Sequence, residues 1–165
     1  MQNQTHIRRA GSRDQAAVAD LAVMNNMYAV DELDGLADAF LSAVDGELDG
    51  HQWFVATARD GEVVAAAYLA PEPFADRLWN LYFIAVHPSR HGAGIGTALL
   101  AYLEDMLRDR GEAEARVLIV ETSSTSQYEA TRGFYESRGF EREAQIREFY
   151  GPGDHKVVFW KALGN

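Results

Sequence analysis

The chain has 165 residues, 47% of them hydrophobic, and a formal net charge of −10 at pH 7. This length and composition predict a single globular domain over residues 1–165 and argue against disorder. The sequence contains no cysteine, which excludes disulfides, thiolate metal sites and cysteine nucleophiles. Its five histidines show no paired metal-ligand spacing, so we expect no metal.

The negative charge is concentrated near the start of the chain. Nine of the 25 acidic residues lie between Asp14 and Ala58, a segment without lysine or arginine. An acidic chain without a basic cluster is a poor candidate for binding nucleic acid or an anionic membrane, while basic partners remain open. The longest apolar run, residues 63–70, is too short for a bilayer span. The first fifteen residues lack the apolar stretch of a secretory signal, and we expect a cytoplasmic protein.

The first third of the chain predicts one short strand and two helices. The strand covers residues 6–10, and Ser12 or Asp14 is a candidate cap for a helix with Val18, Leu21 and Met24 at helical spacing. A second helix is predicted over residues 33–44. Its apolar stripe contains Leu33, Leu36, Ala37, Phe40, Leu41 and Val44.

The middle of the chain predicts three consecutive strands, over residues 52–58, 62–69 and 78–86. Asp60-Gly61 between the first two is a hairpin signal. The third strand is almost wholly apolar, which is typical of a central strand covered on both faces.

The remainder predicts two helices and three strands. The helices cover residues 96–110 and 127–138 and each ends at a glycine, while the strands cover residues 116–121, 141–149 and 155–163. The resulting order is β-α-α-β-β-β-α-β-α-β-β. Three consecutive strands break the alternation of a doubly wound fold, so we expect an α/β (α+β) protein with a mixed sheet flanked by helices.

A glycine-rich loop, HPSRHGAGIGTALL over residues 87–100, joins the apolar third strand to the next helix. Gly92, Gly94 and Gly96 allow backbone N–H groups to approach an anion, because no Cβ intervenes. The helix N-terminus adds unpaired donors and a positive dipole end, so a diphosphate is the expected ligand. The sequence lacks the lysine of a Walker loop and the spacing of the dinucleotide fingerprint. A turn that only packs the helix against the strand is the alternative.

The loop resembles the pyrophosphate loop of the GCN5-related N-acetyltransferase (GNAT) family, whose pattern is Gln/Arg-x-x-Gly-x-Gly/Ala after an apolar strand. The run His91-Gly92-Ala93-Gly94-Ile95-Gly96 occupies those positions. His91 replaces the usual Gln or Arg. A histidine can donate to a phosphate oxygen, but it is uncharged when neutral, so the affinity for the diphosphate is expected to depend on pH.

A second segment resembles the same family. Its short helix after the next strand carries a pattern similar to Asn-x-x-Ala-x-x-Phe-Tyr and closes with Gly-Phe. This chain has Tyr128, Thr131, Phe134-Tyr135 and Gly139-Phe140 at that spacing. Tyr128 and Thr131 replace the usual Asn and Ala.

The resemblance implies a GNAT-like fold, mostly antiparallel, in which residues 81–86 and 117–121 splay apart. It implies acetyl-CoA as co-substrate, with backbone groups of Ile84, Ala85 and Val86 pairing with pantetheine like an added strand. The other implied contacts come from His91, Gly92, Ala93, Gly94, Ile95, Gly96, Thr97 and Tyr128. The reaction would be direct attack by a neutral amine, small or peptidic, on the thioester. Tyr135 resembles the general acid that protonates the departing thiolate.

Glu121 ends a predicted buried strand, where a carboxylate is costly unless it is paired or functional. It is a candidate general base or a hydrogen-bond acceptor, and water held by the hydroxyl-rich residues 122–126 is another source of the base. Tyr150 lies where the last hairpin of the family borders the acceptor. A non-catalytic CoA-binding or sensing domain, a protein N-terminal or lysine acetyltransferase, and a homodimer stay open as alternatives.

Overall fold

The computed structural model describes residues 4–164 and has the predicted order of helices and strands. The helices are α1 (Gln15–Met24), α2 (Leu33–Val44), α3 (Ile95–Arg110) and α4 (Glu129–Ser137). The strands are β1 (His6–Arg9), β2 (Gln52–Thr57), β3 (Val63–Pro71), β4 (Leu78–Val86), β5 (Val117–Ser123), β6 (Glu141–Gly151) and β7 (Asp154–Ala162). At the last helix, residues 126–128 form a separate 3-10 turn before α4, so the helix begins two residues later than predicted.

The seven strands form one sheet in the order β1-β2-β3-β4-β5-β7-β6. β4 and β5 are parallel, while β1 with β2, β2 with β3, β5 with β7, and β6 with β7 pair antiparallel. The prediction of a mixed, mostly antiparallel sheet is therefore confirmed. The described pairs of β4 with β5 run from Leu78–Val117 to Leu81–Val120, although both strands continue beyond them.

The described residues form two compact units, and the first contains residues 4–70 and 83–103. Its core lies between β2, β3 and helices α1 and α2, where Trp53 packs against the rings of Phe40 and Phe83 at centroid distances of 5.2 Å. Val18 and Leu21 are 1% exposed, whereas Met24, the last residue of α1, is 39% exposed.

The second unit contains residues 71–82 and 104–164. α4 packs against β7 here, with Tyr135, Phe140 and Phe159 in one buried aromatic group. β6 is an edge strand, and residues 141–150 are all exposed. The single domain over residues 1–165 stays a prediction, and residues 1–3 and 165 lie outside the described part.

The start of α1 differs from the capping that the sequence predicts. Asp14 makes no side-chain cap to α1. Its Oδ2 instead accepts from the N–H of Gly11 at 2.8 Å and from Arg8 Nη1 at 2.8 Å, and its Oδ1 accepts from Arg8 Nη2 at 2.9 Å. Asp14 therefore connects the end of β1 to the turn before α1.

Within residues 4–164, no helix combines the length and the apolar character that a membrane span requires.

Candidate functional site

The glycine loop of the first unit leads from β4 to α3 through a 3-10 turn at Pro88–Arg90. His87 caps this turn, because its Nδ1 accepts from the N–H of Ser89 at 3.2 Å. Gly92 and Gly94 have φ of 80° and 82°, which strains any side chain with a Cβ. A Cβ built on either glycine meets nothing within 4 Å, so the loop presents its backbone to open space.

Several N–H groups of this loop are available to a ligand. Within the loop, bonds to backbone carbonyls use the N–H groups of Arg90, His91 and Ala93. The first bond of α3 runs from the N–H of Ala98 to the carbonyl of Gly94 at 3.0 Å, as expected where a helix begins and its first donors have no partner. In the described part of the chain, no acceptor bonds the N–H groups of Gly92, Gly94, Ile95, Gly96 or Thr97. These amides, at the positive end of the α3 dipole, suit a diphosphate.

His91 does not point its donor at this open space. Its Nε2 donates to the carbonyl of Val86 at 2.9 Å, and the same carbonyl accepts from Asn25 Nδ2 at 3.1 Å. Because a carbonyl only accepts, the Nε2 of His91 carries the hydrogen. A neutral ring then has only an accepting Nδ1 left. A contact from His91 to a phosphate oxygen therefore requires a protonated ring.

The backbone N–H and C=O groups of the last residues of β4 point to two different edges of the strand. The N–H of His87 donates to the carbonyl of Val64 on β3 at 2.8 Å. Backbone groups of successive strand residues point to opposite edges, so Ala85, two residues before His87, shares its β3 side. Ile84 and Val86 present their groups to the other edge. Of the three residues predicted to contact pantetheine, Ile84 and Val86 therefore have suitable backbone direction and Ala85, which is buried, does not.

Glu121 in the second unit is paired with a lysine that sequence reasoning missed. Lys156 Nζ lies 3.2 Å from Glu121 Oε2, and the two side chains are only 12% and 26% exposed. Lys156 Nζ also lies 3.7 Å from the ring centroid of Phe149. The β5–β7 pairing could have been expected from the fold, but the local pattern around Lys156 carries no signal of this contact.

Tyr150 lies near the same carboxylate. Burial raises the pKa of Tyr150 to about 12, and the nearby charges of Glu121, Asp154 and Tyr128 add to the effect. The phenol of Tyr150 therefore stays protonated throughout the neutral range. The structure brings Tyr128 and Glu121, both predicted site residues, to the surroundings of this half-buried tyrosine.

Tyr135 is 2% exposed, with its ring packed against Phe140 and Phe159 at centroid distances of 5.6 Å. Burial raises the pKa of Tyr135 far above its usual value. Val120 pairs with Phe159, and Glu121 pairs with Val158. Because successive strand residues point to opposite faces, Tyr135 and Glu121 lie on opposite faces of the β5–β7 part of the sheet.

The hydroxyl-rich loop after β5 forms hydrogen bonds with other parts of the second unit. Ser123 Oγ donates to Asp154 Oδ1 at 2.5 Å, and Ser124 Oγ accepts from the N–H of His155 at 2.9 Å. Arg132 of α4 donates to the carbonyls of Ser123 and Thr125, both at 2.8 Å. These bonds join the end of β5 to α4 and to the β6–β7 hairpin. These two hydrogen bonds of Arg132 were not predicted from the sequence.

The comparisons with known proteins all indicate the same family. Residues 49–142 match the model of the acetyltransferase (GNAT) domain. The chain is 34% identical over 108 residues to a mycothiol acetyltransferase of Salinispora arenicola, across 64% of this chain and 30% of that protein. The matched part thus spans less than a third of the length of this curated relative.

Solved structures agree over almost the whole chain. A protein assigned to the GNAT family of acetyltransferases, from Desulfovibrio desulfuricans, has a TM-score of 0.86 and 31% identity, covering 98% of this chain and 100% of its own. The Salmonella typhimurium protein yncA, solved with its cofactor acetyl-CoA, has a TM-score of 0.74 and 24% identity, covering 98% and 95%. The second likeness shows the fold alone.

Proposed function

Because this chain belongs to the GNAT family of acetyltransferases, we propose that it transfers the acetyl group of acetyl-CoA to a primary amine by direct attack. The observation that carries the proposal is the loop of the first unit. Among residues 4–164, no acceptor bonds the N–H groups of Gly92, Gly94, Ile95, Gly96 and Thr97, and a Cβ on Gly92 or Gly94 would meet only open space. The residues present therefore suit a diphosphate.

On this proposal, the amides of Gly92, Gly94, Ile95, Gly96 and Thr97 bind the diphosphate of acetyl-CoA. Ile84 and the N–H of Val86 pair with the pantetheine arm, because their backbone groups point away from β3. The carbonyl of Val86 already accepts from His91 and Asn25, so it holds the loop against β4. Tyr128 contributes a phenol in place of the usual Asn, and Ala93 adds no side-chain donor.

In the proposed reaction, the amine nitrogen forms a bond to the acetyl carbon while the carbon–sulfur bond breaks. Glu121, directly or through a water molecule, accepts the proton that the amine loses. Tyr135 donates a proton to the departing thiolate of CoA. The location of these groups on opposite faces agrees with their tasks, because the bond that forms and the bond that breaks need proton transfer at different atoms.

Burial of Tyr135 sets a condition on its role. A buried tyrosine keeps its proton at neutral pH, as an acid must, but its hydroxyl has to reach the sulfur. Hydrogen bonds of catalytic groups often tighten only in the complex with substrate. The proposal therefore places the hydroxyl of Tyr135 at the sulfur only when acetyl-CoA is bound.

The acceptor class needs a direct test. CoA thiol release is measured with a panel of small amines, amino-terminal peptides and lysine peptides, and the acetylated product is identified by mass spectrometry. Turnover with small amines supports the proposal, and turnover with peptides alone would move the protein to the protein-modifying class. Tight acetyl-CoA binding without turnover on any acceptor would contradict the enzymatic proposal and favour a sensing domain. The cytoplasm stays our proposed location, and a homodimer stays an untested prediction.

A further inference from the structure

A polar cluster in the second unit contains a buried oxygen without a partner. Glu72 follows β3, and Asn80 and Tyr82 belong to β4. Glu72 Oε1 accepts from Asn80 Nδ2 at 2.7 Å and from the hydroxyl of Tyr82 at 2.6 Å. Asn80 is fully buried, and its Oδ1 has no hydrogen-bond partner among the described residues. Because buried polar atoms are nearly always satisfied, this oxygen is available to a further donor.

The charge of Glu72 is also uncompensated. Within residues 4–164, no lysine, arginine or histidine nitrogen lies within 4.0 Å of its carboxylate. Glu121, in contrast, has Lys156 at 3.2 Å. Glu72 is half-buried, where a carboxylate is stabilised by an opposite charge. A donor that carries a positive charge would pair with the Glu72 carboxylate, and an ammonium group is such a donor.

The cluster lies on the same face of the sheet as Glu121. Asn80 pairs with Ile119 in the parallel ladder of β4 and β5, and Glu121 follows two residues later on the same face. Neighbouring strands are about 4.8 Å apart and two residues advance by about 6.6 Å, so the backbones of Asn80 and Glu121 are roughly 8 Å apart. Tyr82 is 47% exposed and Glu72 is partly exposed, so the carboxylate can be reached from solvent.

We propose that Glu72, with Asn80 and Tyr82, binds a second ammonium group of the acceptor, separate from the amine that is acetylated. The proposal rests on the proposed function, because it deepens the description of the acceptor. It predicts a preference for acceptors with two cationic nitrogens over equally long acceptors with one. Charge-assisted hydrogen bonds from an ammonium to a carboxylate are the stronger class of hydrogen bond, so the preference depends chiefly on Glu72.

The test compares 1,5-diaminopentane with pentylamine, which have the same chain length and differ by one ammonium group. We expect the wild type to show a higher kcat/KM for the diamine. Glu72→Gln keeps an oxygen that accepts from Asn80 and Tyr82 but removes the charge. It should lower the diamine-to-monoamine ratio by about 10-fold or more, through KM for the diamine and not through kcat. Glu129→Gln, on an exposed residue of α4, makes the same change in net charge and should leave the ratio unchanged.

Calorimetry of diamine binding separates this proposal from the proposed function. If the wild type acetylates no amine but binds 1,5-diaminopentane more tightly than Glu72→Gln does, the site stands and the enzymatic proposal fails. Equal discrimination by wild type and Glu72→Gln in both assays would overturn the site, as would equal affinity of the wild type for the two amines. Should Glu72→Gln not fold, Tyr82→Phe removes the hydroxyl that donates to Glu72 Oε1 and so positions the carboxylate, and it must reduce the same ratio.

Discussion

Tyr135 and Glu121 lie on opposite faces of the β5–β7 ladder, because Tyr135 packs on Phe159, the partner of Val120, and Glu121 follows Val120 in the strand. Neither side chain can substitute for the other at one atom of the substrate. If both act in catalysis, their contributions should be separable by mutation. The first two predictions use this separation.

The first prediction concerns the hydroxyl of Tyr135. Tyr135→Phe should reduce kcat by about 10²–10⁴-fold, the usual contribution of a positioned proton donor, while acetyl-CoA affinity changes little. Because burial raises the pKa of Tyr135, the wild type should lose no activity through ionisation of this group between pH 7 and 9. Steady-state kinetics and calorimetry measure both quantities. Tyr102→Phe, at an exposed site on α3, is the control, and unchanged turnover of Tyr135→Phe would remove this residue from the mechanism.

The second prediction distinguishes a catalytic Glu121 from a structural one. Glu121→Gln should lower kcat/KM by about 10²–10⁴-fold if the carboxylate is the base. Lys156→Met leaves the carboxylate in place without its partner and should destabilise the fold by about 1–3 kcal/mol, between the values for exposed and fully buried pairs, since the two side chains are 12% and 26% exposed. Urea unfolding measures the stability of both variants, and steady-state kinetics measures their kcat/KM. If the two variants lose similar stability and neither loses rate, Glu121 only pairs with Lys156, and water accepts the amine proton.

The third prediction concerns the diphosphate loop. Gly94→Val places a side chain in the open space before the loop amides and should weaken acetyl-CoA binding by at least about 10-fold, the loss of roughly one hydrogen bond to a charged group. Gly111→Val is a matched control. Gly111 has φ of 80°, similar to 82° for Gly94, and a Cβ on either meets nothing within 4 Å. Both variants should therefore lose similar stability in thermal unfolding. Equal acetyl-CoA affinity in calorimetry would show that the loop only packs α3 against β4.

The fourth prediction concerns acid stability. The hydrogen bonds from Arg8, together with that from Gly11, hold the pKa of Asp14 below its usual value. A carboxyl with a lower pKa in the folded state stabilises the fold above its unfolded pKa of about 3.9, and this contribution is lost as pH falls through the folded pKa. Asp14→Asn should therefore be less stable than wild type by about 1–3 kcal/mol at pH 7. The difference should shrink below about pH 4.

Urea unfolding from pH 2 to 7 measures this difference. Asp20→Asn, at an exposed position of α1, should show no comparable loss at pH 7. A constant difference between wild type and Asp14→Asn across the whole range would mean that packing around Asp14, and not its ionisation, stabilises the end of β1.

The order of helices and strands and the glycine loop could be predicted from the sequence because both depend on local physical chemistry. Apolar periodicity predicted α2 with its observed bounds, Leu33–Val44, and β4 likewise. Gly92 and Gly94 have the positive φ that favours glycine, and a helix start leaves donors unpaired in any fold. These properties belong to short segments and need no knowledge of what packs against them.

Only the tertiary structure decided which polar groups meet. His91 was expected to face a phosphate, but its donor bonds the carbonyl of Val86. The sequence left open whether Glu121 is a general base or a hydrogen-bond acceptor. Strand register placed Lys156 beside it. The unpaired Oδ1 of Asn80 had no signal in its apolar strand. Such partners come from segments far apart in the chain, and strand register, which no local pattern of residue types carries, determines whether two side chains come within hydrogen-bond distance.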